Sequence, residues 1–270
     1  MIIISANKKR LKIYALILIT GFILPMMMHV KADDKKECYV AIIIDDFGNG
    51  SADTKNFVEL DCPFTAAIMP ARENTESDMQ KLKDAGKDII LHMPMEPHNG
   101  KKSWLGANAL TTDLSNEQIE KNILDSLAQL DCAVGINNHM GSKIMENERI
   151  LEILFKIISQ KNLIFVDSKT TAKSKANMLA QKYNVRLYSR DMFIDDKNIN
   201  NVREKLKKTI KIAKAKGFAI AIGHVGPAGG VKTAQAIKEI YDEYKINGVN
   251  FITLTELNQL VDEKLVQMPK

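Results

Sequence analysis

Short apolar runs alternate with amphipathic segments along most of this chain, and this alternation limits the possible folds more than any other feature. Eight runs predict strands at residues 39–44, 64–69, 88–91, 133–136, 163–166, 185–188, 218–222 and 250–254. They are apolar at consecutive positions, which is typical of strands buried on both faces. Seven or eight strand–helix alternations favour a parallel α/β architecture, and a barrel fits the count better than an open doubly wound sheet.

The amphipathic segments between these runs have recognisable helix ends. Ser115 and Gln118 form a capping-box pattern, and the helix predicted over residues 202–216 stops at Gly217. Further helices are predicted at residues 77–85, 148–160, 174–183, 233–244 and 256–266. No low-complexity linker or clear repeat interrupts the pattern, so residues 37–270 are predicted to form one domain.

The first 32 residues have a different character. A basic cluster at residues 8–12 precedes an apolar run at residues 13–28, and Val30 and Ala32 occupy the small-residue positions of a cleavage site. Residues 1–32 are therefore predicted to be an export signal peptide, the alternative being an uncleaved N-terminal anchor through which the protein would touch a membrane. In both cases we expect an exported protein, secreted or held in the cell envelope.

Charge and cysteine usage exclude some classes of function. Five of the 38 Lys and Arg residues lie in residues 1–32, which leaves 33 against the 33 Asp and Glu residues of the chain. The rest of the protein is therefore close to neutral, which gives no support to nucleic-acid binding. Cys38, Cys62 and Cys132 are odd in number and lack zinc-binding spacing, so buried free thiols are expected.

Polar side chains follow most of the predicted strands. In chain order they are Asp45 and Asp46, His92 and Glu96, Asn137, Asn138, His139 and Ser142, Asp167, Ser168 and Thr170, Arg190, Asp191 and Asp195, and His224. Parallel α/β folds place their sites at the C-terminal ends of the strands, so these side chains are expected to meet at one mouth. Three of the chain's five histidines belong to this set.

These residue types suit a catalytic metal. Imidazole and carboxylate groups bind zinc and similar divalent ions, and a catalytic site needs three such ligands with one position left for water. One Asp and two His meet that need. The paired aspartates can then divide the work, one holding the metal and the other taking a proton from the water. His224, in the segment GHVGP, is a candidate to protonate a leaving group.

Six motifs in order, IIIDDFG, LHMPMEP, NNHMGS, VDSKTT, RDMFIDD and IGHVGP, resemble those of the divergent polysaccharide deacetylases, a branch related to the NodB-type carbohydrate esterases. The resemblance extends from about Tyr39 to Leu257. It implies a NodB-like fold, a distorted (β/α) barrel of seven to eight parallel strands. It also implies a divalent metal, zinc foremost, in a groove open to a polysaccharide, and removal of N- or O-acetyl groups by metal-activated water.

The resemblance also assigns roles. In the related esterases the first of the paired acids is the base and the second is a metal ligand, which corresponds to Asp45 and Asp46, while His224 occupies the place of the acid. Those esterases take two ligands from a His-x-x-x-His segment, whereas the segment that begins at His92 has Glu96 in the last place. The third ligand is then Glu96 or His139, and we favour His139 because it restores an Asp-His-His set.

Other residues of the motifs have secondary predicted roles. Asn137 and Asn138 are expected to bond sugar hydroxyls or the backbone at the barrel rim, and Arg190 or Asp191 to orient His224 or Asp45. The single tryptophan, Trp104, is predicted to be a sugar-stacking platform or a loop anchor.

Two further functions remain open at this level. Carboxylates at the strand ends, Asp167 among them, would offer the acid pair of a glycosidase, although that hypothesis leaves the histidines unexplained. The altered ligand motif keeps open a non-catalytic envelope barrel that binds a glycan or a protein partner. The favoured function is an exported, metal-dependent deacetylase of a polysaccharide.

Overall fold

The computed structural model describes residues 37–267, and the leader predicted over residues 1–32 lies outside this range. The strands are β1 (Cys38–Phe47), β2 (Thr65–Ile68), β3 (Asp88–Met95), β4 (Gly135–Met140), β5 (Ile164–Asp167), β6 (Leu187–Ser189), β7 (Met192–Phe193), β8 (Phe218–His224) and β9 (Val249–Ile252). The helices are α1 (Thr54–Val58), α2 (Thr75–Asp84), α3 (Asn116–Gln129), α4 (Glu148–Gln160), α5 (Ala176–Tyr183), α6 (Ile199–Lys216), α7 (Gly230–Tyr244) and α8 (Leu254–Gln267).

The strands form one parallel sheet that curls into a distorted barrel. Its order is β6-β5-β4-β3-β2-β1-β8-β7, and β9 pairs with the first half of β1. The edge strands β6 and β7 are separated in sequence by Arg190 and Asp191. The backbone N–H of Arg190 donates to Asp167 (3.0 Å) and that of Asp191 to Ile220 (2.8 Å), so adjacent residues bond β5 and β8. The two edges of the sheet therefore meet, which confirms the predicted α/β barrel.

Every predicted strand and helix is observed, with differences at their ends. All eight predicted strands are present, and α4 has the predicted bounds. The short elements α1 and β7 were not predicted. The strands β1, β3, β4 and β8 continue past their apolar runs and include the polar residues expected just beyond them. That expectation was wrong because backbone pairing continues through residues whose side chains are polar.

Two apolar cores explain why the strands are buried on both faces. One core lies between the sheet and the helices, and the other fills the barrel interior. The interior core includes Ile43, Ile90 and Ile222. Side chains two residues apart share a face of a strand, and the next residues on this face are Asp45, His92 and His224. The interior core therefore ends in a polar layer at the C-terminal mouth.

The cysteines are unpaired, as expected. Cys38 and Cys62 are buried and Cys132 is half-buried. Burial raises the pKa of the Cys62 thiol to about 12, so this thiol stays protonated and unreactive at neutral pH. Within residues 37–267, none of the helices is long and apolar enough to span a membrane.

Candidate metal centre and acid–base pair

A bulge in β1 brings two adjacent carboxylates to one place. The pairing of β1 with β2 shifts register between Ile44 and Phe47, and Asp46 has a left-handed φ of 71°. In a regular strand Asp45 and Asp46 would point to opposite faces. Here Nε2 of His92 lies 3.7 Å from Oδ2 of Asp45 and 3.3 Å from Oδ1 of Asp46. Both carboxylates therefore reach the same imidazole.

Asp46, His92 and His139 form a compact cluster of metal-ligand atoms. Nδ1 of His139 is 3.0 Å from Oδ1 of Asp46 and 3.1 Å from Nε2 of His92. Among the described residues, this is the group of His, Cys, Asp or Glu side chains whose ligand atoms could hold a metal ion. The prediction that favoured His139 as the third ligand is consistent with this placement.

The cluster fits a divalent metal. Oδ1 of Asp46 is buried and has no hydrogen-bond partner within the described part of the chain, although two imidazole nitrogens lie beside it. An unpaired buried carboxylate oxygen is costly. One carboxylate oxygen and two imidazole nitrogens are the donor set of a catalytic zinc site with an open position. The residues present therefore suit such an ion.

Asn137 connects the ligand cluster to Asp45. Its side-chain N–H donates to Oδ1 of Asp45 (2.8 Å), and its Oδ1 accepts from Nδ1 of His92 (2.7 Å). Because the carboxylate can only accept, the orientation of the amide is determined, and Nδ1 of His92 carries the proton. Nε2 of His92 is thereby left as the ligand atom. Asn137 is fully buried and bonds these two side chains, so neither of its two predicted partners, a sugar hydroxyl or the rim backbone, is observed.

His224 faces Asp45 from β8 and is oriented by Asp195. Asp45 and His224 are register partners in the β1–β8 pair, and Nε2 of His224 is 3.9 Å from Oδ2 of Asp45. Nδ1 of His224 donates to Oδ2 of Asp195 (2.6 Å), whose Oδ1 accepts from Thr233 (2.9 Å). Burial alone would lower the pKa of His224, but the hydrogen bond to Asp195 and the nearby carboxylate charges raise it to about 9. His224 is therefore protonated at neutral pH.

The two aspartates have different electrostatic environments. Burial raises the pKa of Asp45, outweighing the opposing charges of His92 and His224. Burial would also raise the pKa of Asp46, but the two imidazoles beside it outweigh burial and lower that pKa. Burial lowers the pKa of His139, which favours the neutral imidazole that binds metals. Asp46 is thus held ionised, while Asp45 is the better proton acceptor near neutral pH.

Glu96 and Asn138 are bound to neighbouring loops. Glu96 accepts from Nζ of Lys143 (2.6 Å) and from the backbone and hydroxyl of Thr112 (both 2.8 Å), so it is already satisfied away from the ligand cluster. Asn138 donates to the carbonyl of Met140 (2.8 Å) and accepts from the backbone of Ser168 (2.9 Å). Of its two predicted roles, the structure places Asn138 in the backbone-bonding one.

Asp167 of β5 stabilises the structure around the site, as do Arg190 and Asp191, the two residues between β6 and β7 that form the barrel seam. Asp167 accepts from Ser174 (2.7 Å), Arg190 donates from Nε to the carbonyl of Ser168 (2.7 Å), and Asp191 accepts from Lys216 (2.7 Å). Asp191 therefore does not orient His224. The charge of Arg190 acts on Asp45 and Asp167 from the barrel seam.

Asp195 was overlooked as an orienting residue, and Asn137 was assigned the wrong role. Asn137 has the same strand parity as His139, so the period-two rule could have placed it inside the barrel beside the ligands. Asp195 follows the two-residue strand β7, too short for a sequence pattern to mark. Its pairing with His224 depends on strand order alone.

A cavity of about 560 Å³ opens beside the ligand cluster. Its lining residues are Asp46, Asn49, Arg72, Ser103, Trp104, His139, Met140 and Pro227. A larger cavity, of about 860 Å³, lies at the opposite end of the barrel and contains none of the predicted site residues. The mouth with the convergent ligands is the candidate site, because parallel α/β barrels bind at the C-terminal ends of their strands.

Comparison with known proteins agrees with the fold and the motifs. The chain is 30% identical over 228 residues to the uncharacterized protein YibQ of Escherichia coli, covering 84% of this chain and 68% of that protein. Among solved structures, the uncharacterized protein ATU2773 of Agrobacterium tumefaciens has a TM-score of 0.76 at 20% identity, covering 82% of this chain and 89% of that one. The peptidoglycan deacetylase PdaC of Bacillus subtilis has a TM-score of 0.53 at 12% identity, covering 87% and 96%. Residues 42–258 match the sequence family described as divergent polysaccharide deacetylase, and the chain belongs to that family.

Proposed function

We propose that this protein is an exported, metal-dependent deacetylase that removes acetyl groups from a polysaccharide. The observation that carries the proposal is the convergence of Oδ1 of Asp46, Nε2 of His92 and Nδ1 of His139 in one compact cluster of metal-ligand atoms. The similarly folded PdaC is a peptidoglycan deacetylase, which supports a cell-wall glycan as the substrate class. Export is proposed from the basic and apolar pattern of residues 1–32.

Asp46, His92 and His139 would hold the metal. When bound, a divalent ion at these ligands would polarise the acetyl carbonyl and lower the pKa of water. Asp46 is ionised and His139 is neutral, as suits metal ligands. Burial would lower the pKa of His92, but the charges of Asp45 and Asp46 raise it, so a bound ion would replace a proton on that ring. Asn137 keeps the proton of His92 on Nδ1 and so leaves Nε2 for the metal.

Asp45 and His224 provide the acid–base chemistry. Asp45 is buried, its Oδ1 is occupied by Asn137, and its Oδ2 faces Nε2 of His224. Oδ2 of Asp45 accepts the proton of the attacking water, and protonated His224 gives its Nε2 proton to the departing amine or alcohol. Asp195 binds Nδ1 of His224, so Nε2 is the nitrogen that delivers the proton.

The test is metal analysis combined with an acetate-release assay on the purified protein and its Asp45→Asn variant. Neutral acetylated oligosaccharides, such as N-acetylglucosamine oligomers and O-acetylated xylan, serve as first substrates. The variant keeps the three ligands, so its metal content should be unchanged while the rate falls by about 10²- to 10⁴-fold. Failure of the wild type to bind zinc or a similar ion would instead favour a non-catalytic glycan-binding barrel.

A further inference from the structure

The cavity beside the ligand cluster is lined by Arg72, an arginine with few of its N–H donors hydrogen-bonded within the described part of the chain. Arg72 follows β2, lines the cavity and is half-buried. With the residues that the structure describes, its guanidinium makes one hydrogen bond, from Nη2 to the carbonyl of Trp104 (2.9 Å), and its Nε has no partner. No carboxylate of residues 37–267 forms an ion pair with it, whereas Arg203 pairs with Glu239. A guanidinium has five N–H donors, so most of those of Arg72 are left without an acceptor among the described residues.

The loop after β3 holds this guanidinium in place. Gly106 has a φ of +76°, and a Cβ there would lie 2.7 Å from Cζ of Arg72, so the loop backbone packs directly on the guanidinium. The hydrogen bond from Nη2 of Arg72 to the carbonyl of Trp104 joins the guanidinium to a second point of the same loop. Arg72 is therefore a pre-positioned charge at the mouth, and its donors need little reordering to bind a ligand.

Trp104 supplies an apolar surface to the same cavity. Its side chain is 54% exposed and lines the cavity with Ser103 and Asn49. An exposed indole beside hydrogen-bonding groups is suited to stack on the apolar face of a sugar ring. One aromatic wall and one fixed cation thus lie next to Asp46 and His139.

We propose that Arg72 and Trp104 form a subsite for a carboxylate-bearing sugar next to the acetylated residue. This inference rests on the proposed function, because it assumes that the glycan lies in the cavity at the ligand cluster. Guanidinium and carboxylate are planar partners that form paired hydrogen bonds, and the single positive charge matches one carboxylate. A neutral sugar packed over Arg72 would cover its donors without satisfying them.

Two kinds of glycan carry such a carboxylate, and the experiment separates them. One is a muramic acid glycan, whose carboxylate belongs to a lactyl ether, and the other is a polyuronate, whose carboxylate belongs to the sugar ring. The probes are an oligomer containing N-acetylmuramic acid, an acetylated oligouronate, and a neutral N-acetylglucosamine oligomer of equal length. Preference for the first or the second identifies the source.

Binding can be measured without catalysis because Trp104 is the protein's single tryptophan. Its intrinsic fluorescence therefore reports occupancy of the proposed subsite. In the full-length protein an acidic probe should bind at least about tenfold more tightly than the neutral oligomer. Arg72→Gln should weaken binding of the acidic probe by about tenfold or more, the usual effect of losing a hydrogen bond to a charged group, and change binding of the neutral one by less than about twofold.

Ser103→Asp is a second variant that does not touch the loop contacts of Arg72. Ser103 is exposed at the cavity wall, so the change adds a competing negative charge without removing a buried group. Ser103→Asp should also weaken binding of the acidic probe while leaving binding of the neutral oligomer nearly unchanged. Any of three results would refute the subsite. Wild type could bind acidic and neutral probes with equal affinity, or acidic probes could leave the fluorescence unchanged. Alternatively, both variants could lose the same affinity for every probe. If the acidic selectivity is found but wild type releases no acetate, the proposed function fails while the subsite stands.

Discussion

Asn137 offers a direct test of how the base and the metal ligand are coupled. It lies inside the barrel and bonds Oδ1 of Asp45 and Nδ1 of His92 at 2.8 and 2.7 Å. Asn137→Leu keeps the approximate volume but removes both hydrogen bonds. The buried Nδ1–H of His92 and Oδ1 of Asp45 would then lack partners. We expect a loss of stability and a loss of metal affinity from one substitution.

The size of the stability loss follows from the two groups left unpaired. Each buried group without a partner costs about 1–3 kcal/mol, which gives about 2–6 kcal/mol for the pair. The added apolar burial of leucine offsets about 1–2 kcal/mol. The free energy of unfolding should therefore fall by about 0–5 kcal/mol, with a central value of about 2.5 kcal/mol, and this central value corresponds to a fall in Tm of about 5–10 °C for a domain of this size. Metal affinity should fall by about 10- to 100-fold, as for other groups that orient a ligand.

The assay compares Asn137→Leu with Asn138→Leu. Asn138 is also buried and bonded, but to Met140 and Ser168, so this control should lose stability and keep metal affinity within a few-fold. Denaturation of the metal-free proteins measures stability, and calorimetric zinc titration measures affinity. Imidazole NMR should show a protected Nδ1–H on His92 in wild type and in the control. Wild-type metal affinity in Asn137→Leu, or equal losses of affinity in both variants, would refute the coupling.

Two further predictions concern the ligand set and the acid. His139→Ala should abolish metal binding, whereas Glu96→Gln should retain it because Glu96 is already bonded to Lys143 and Thr112. Mass spectrometry measures the metal content of both variants. Loss of metal from Glu96→Gln would show that Glu96 is a ligand. Asp195→Asn removes the carboxylate that raises the pKa of His224 to about 9, so that pKa should fall. Since His224 acts as an acid below its pKa, the alkaline limb of the kcat/KM profile should move from near pH 9 toward neutral pH, and an unchanged limb would exclude Asp195 from this role.

Much of the architecture could be predicted from local patterns. Consecutive apolar runs at eight positions predicted the strands, and the Ser115–Gln118 capping box is present in the structure. These features depend on residues close in sequence, which is why periodicity and capping reveal them. β7 was not predicted because a strand of two residues is too short to show an apolar run or an alternating pattern. The ends of β1, β3, β4 and β8 were missed because pairing with a neighbouring strand, which no local pattern shows, carries each strand into its polar residues.

The chemistry of the site was set by residue types, but its geometry required the fold. Sequence alone determined that carboxylates and histidines occur at successive strand ends, and hence that a metal site was the natural hypothesis. The third-ligand question between Glu96 and His139 depended on where Lys143 and Thr112 lie, which local sequence does not specify. Likewise, the partnership of Asp195 with His224 arises because β7 and β8 are neighbours in the sheet.

The paired aspartates show the division most clearly. The sequence determined that Asp45 and Asp46 follow a buried strand, yet side-chain alternation by itself would send them to opposite faces. Only the tertiary structure supplied the register shift of β1 against β2 and the left-handed backbone of Asp46, which turn both carboxylates toward His92. Contacts with residues distant in the chain stabilise such a bulge, so the local sequence does not show where it forms.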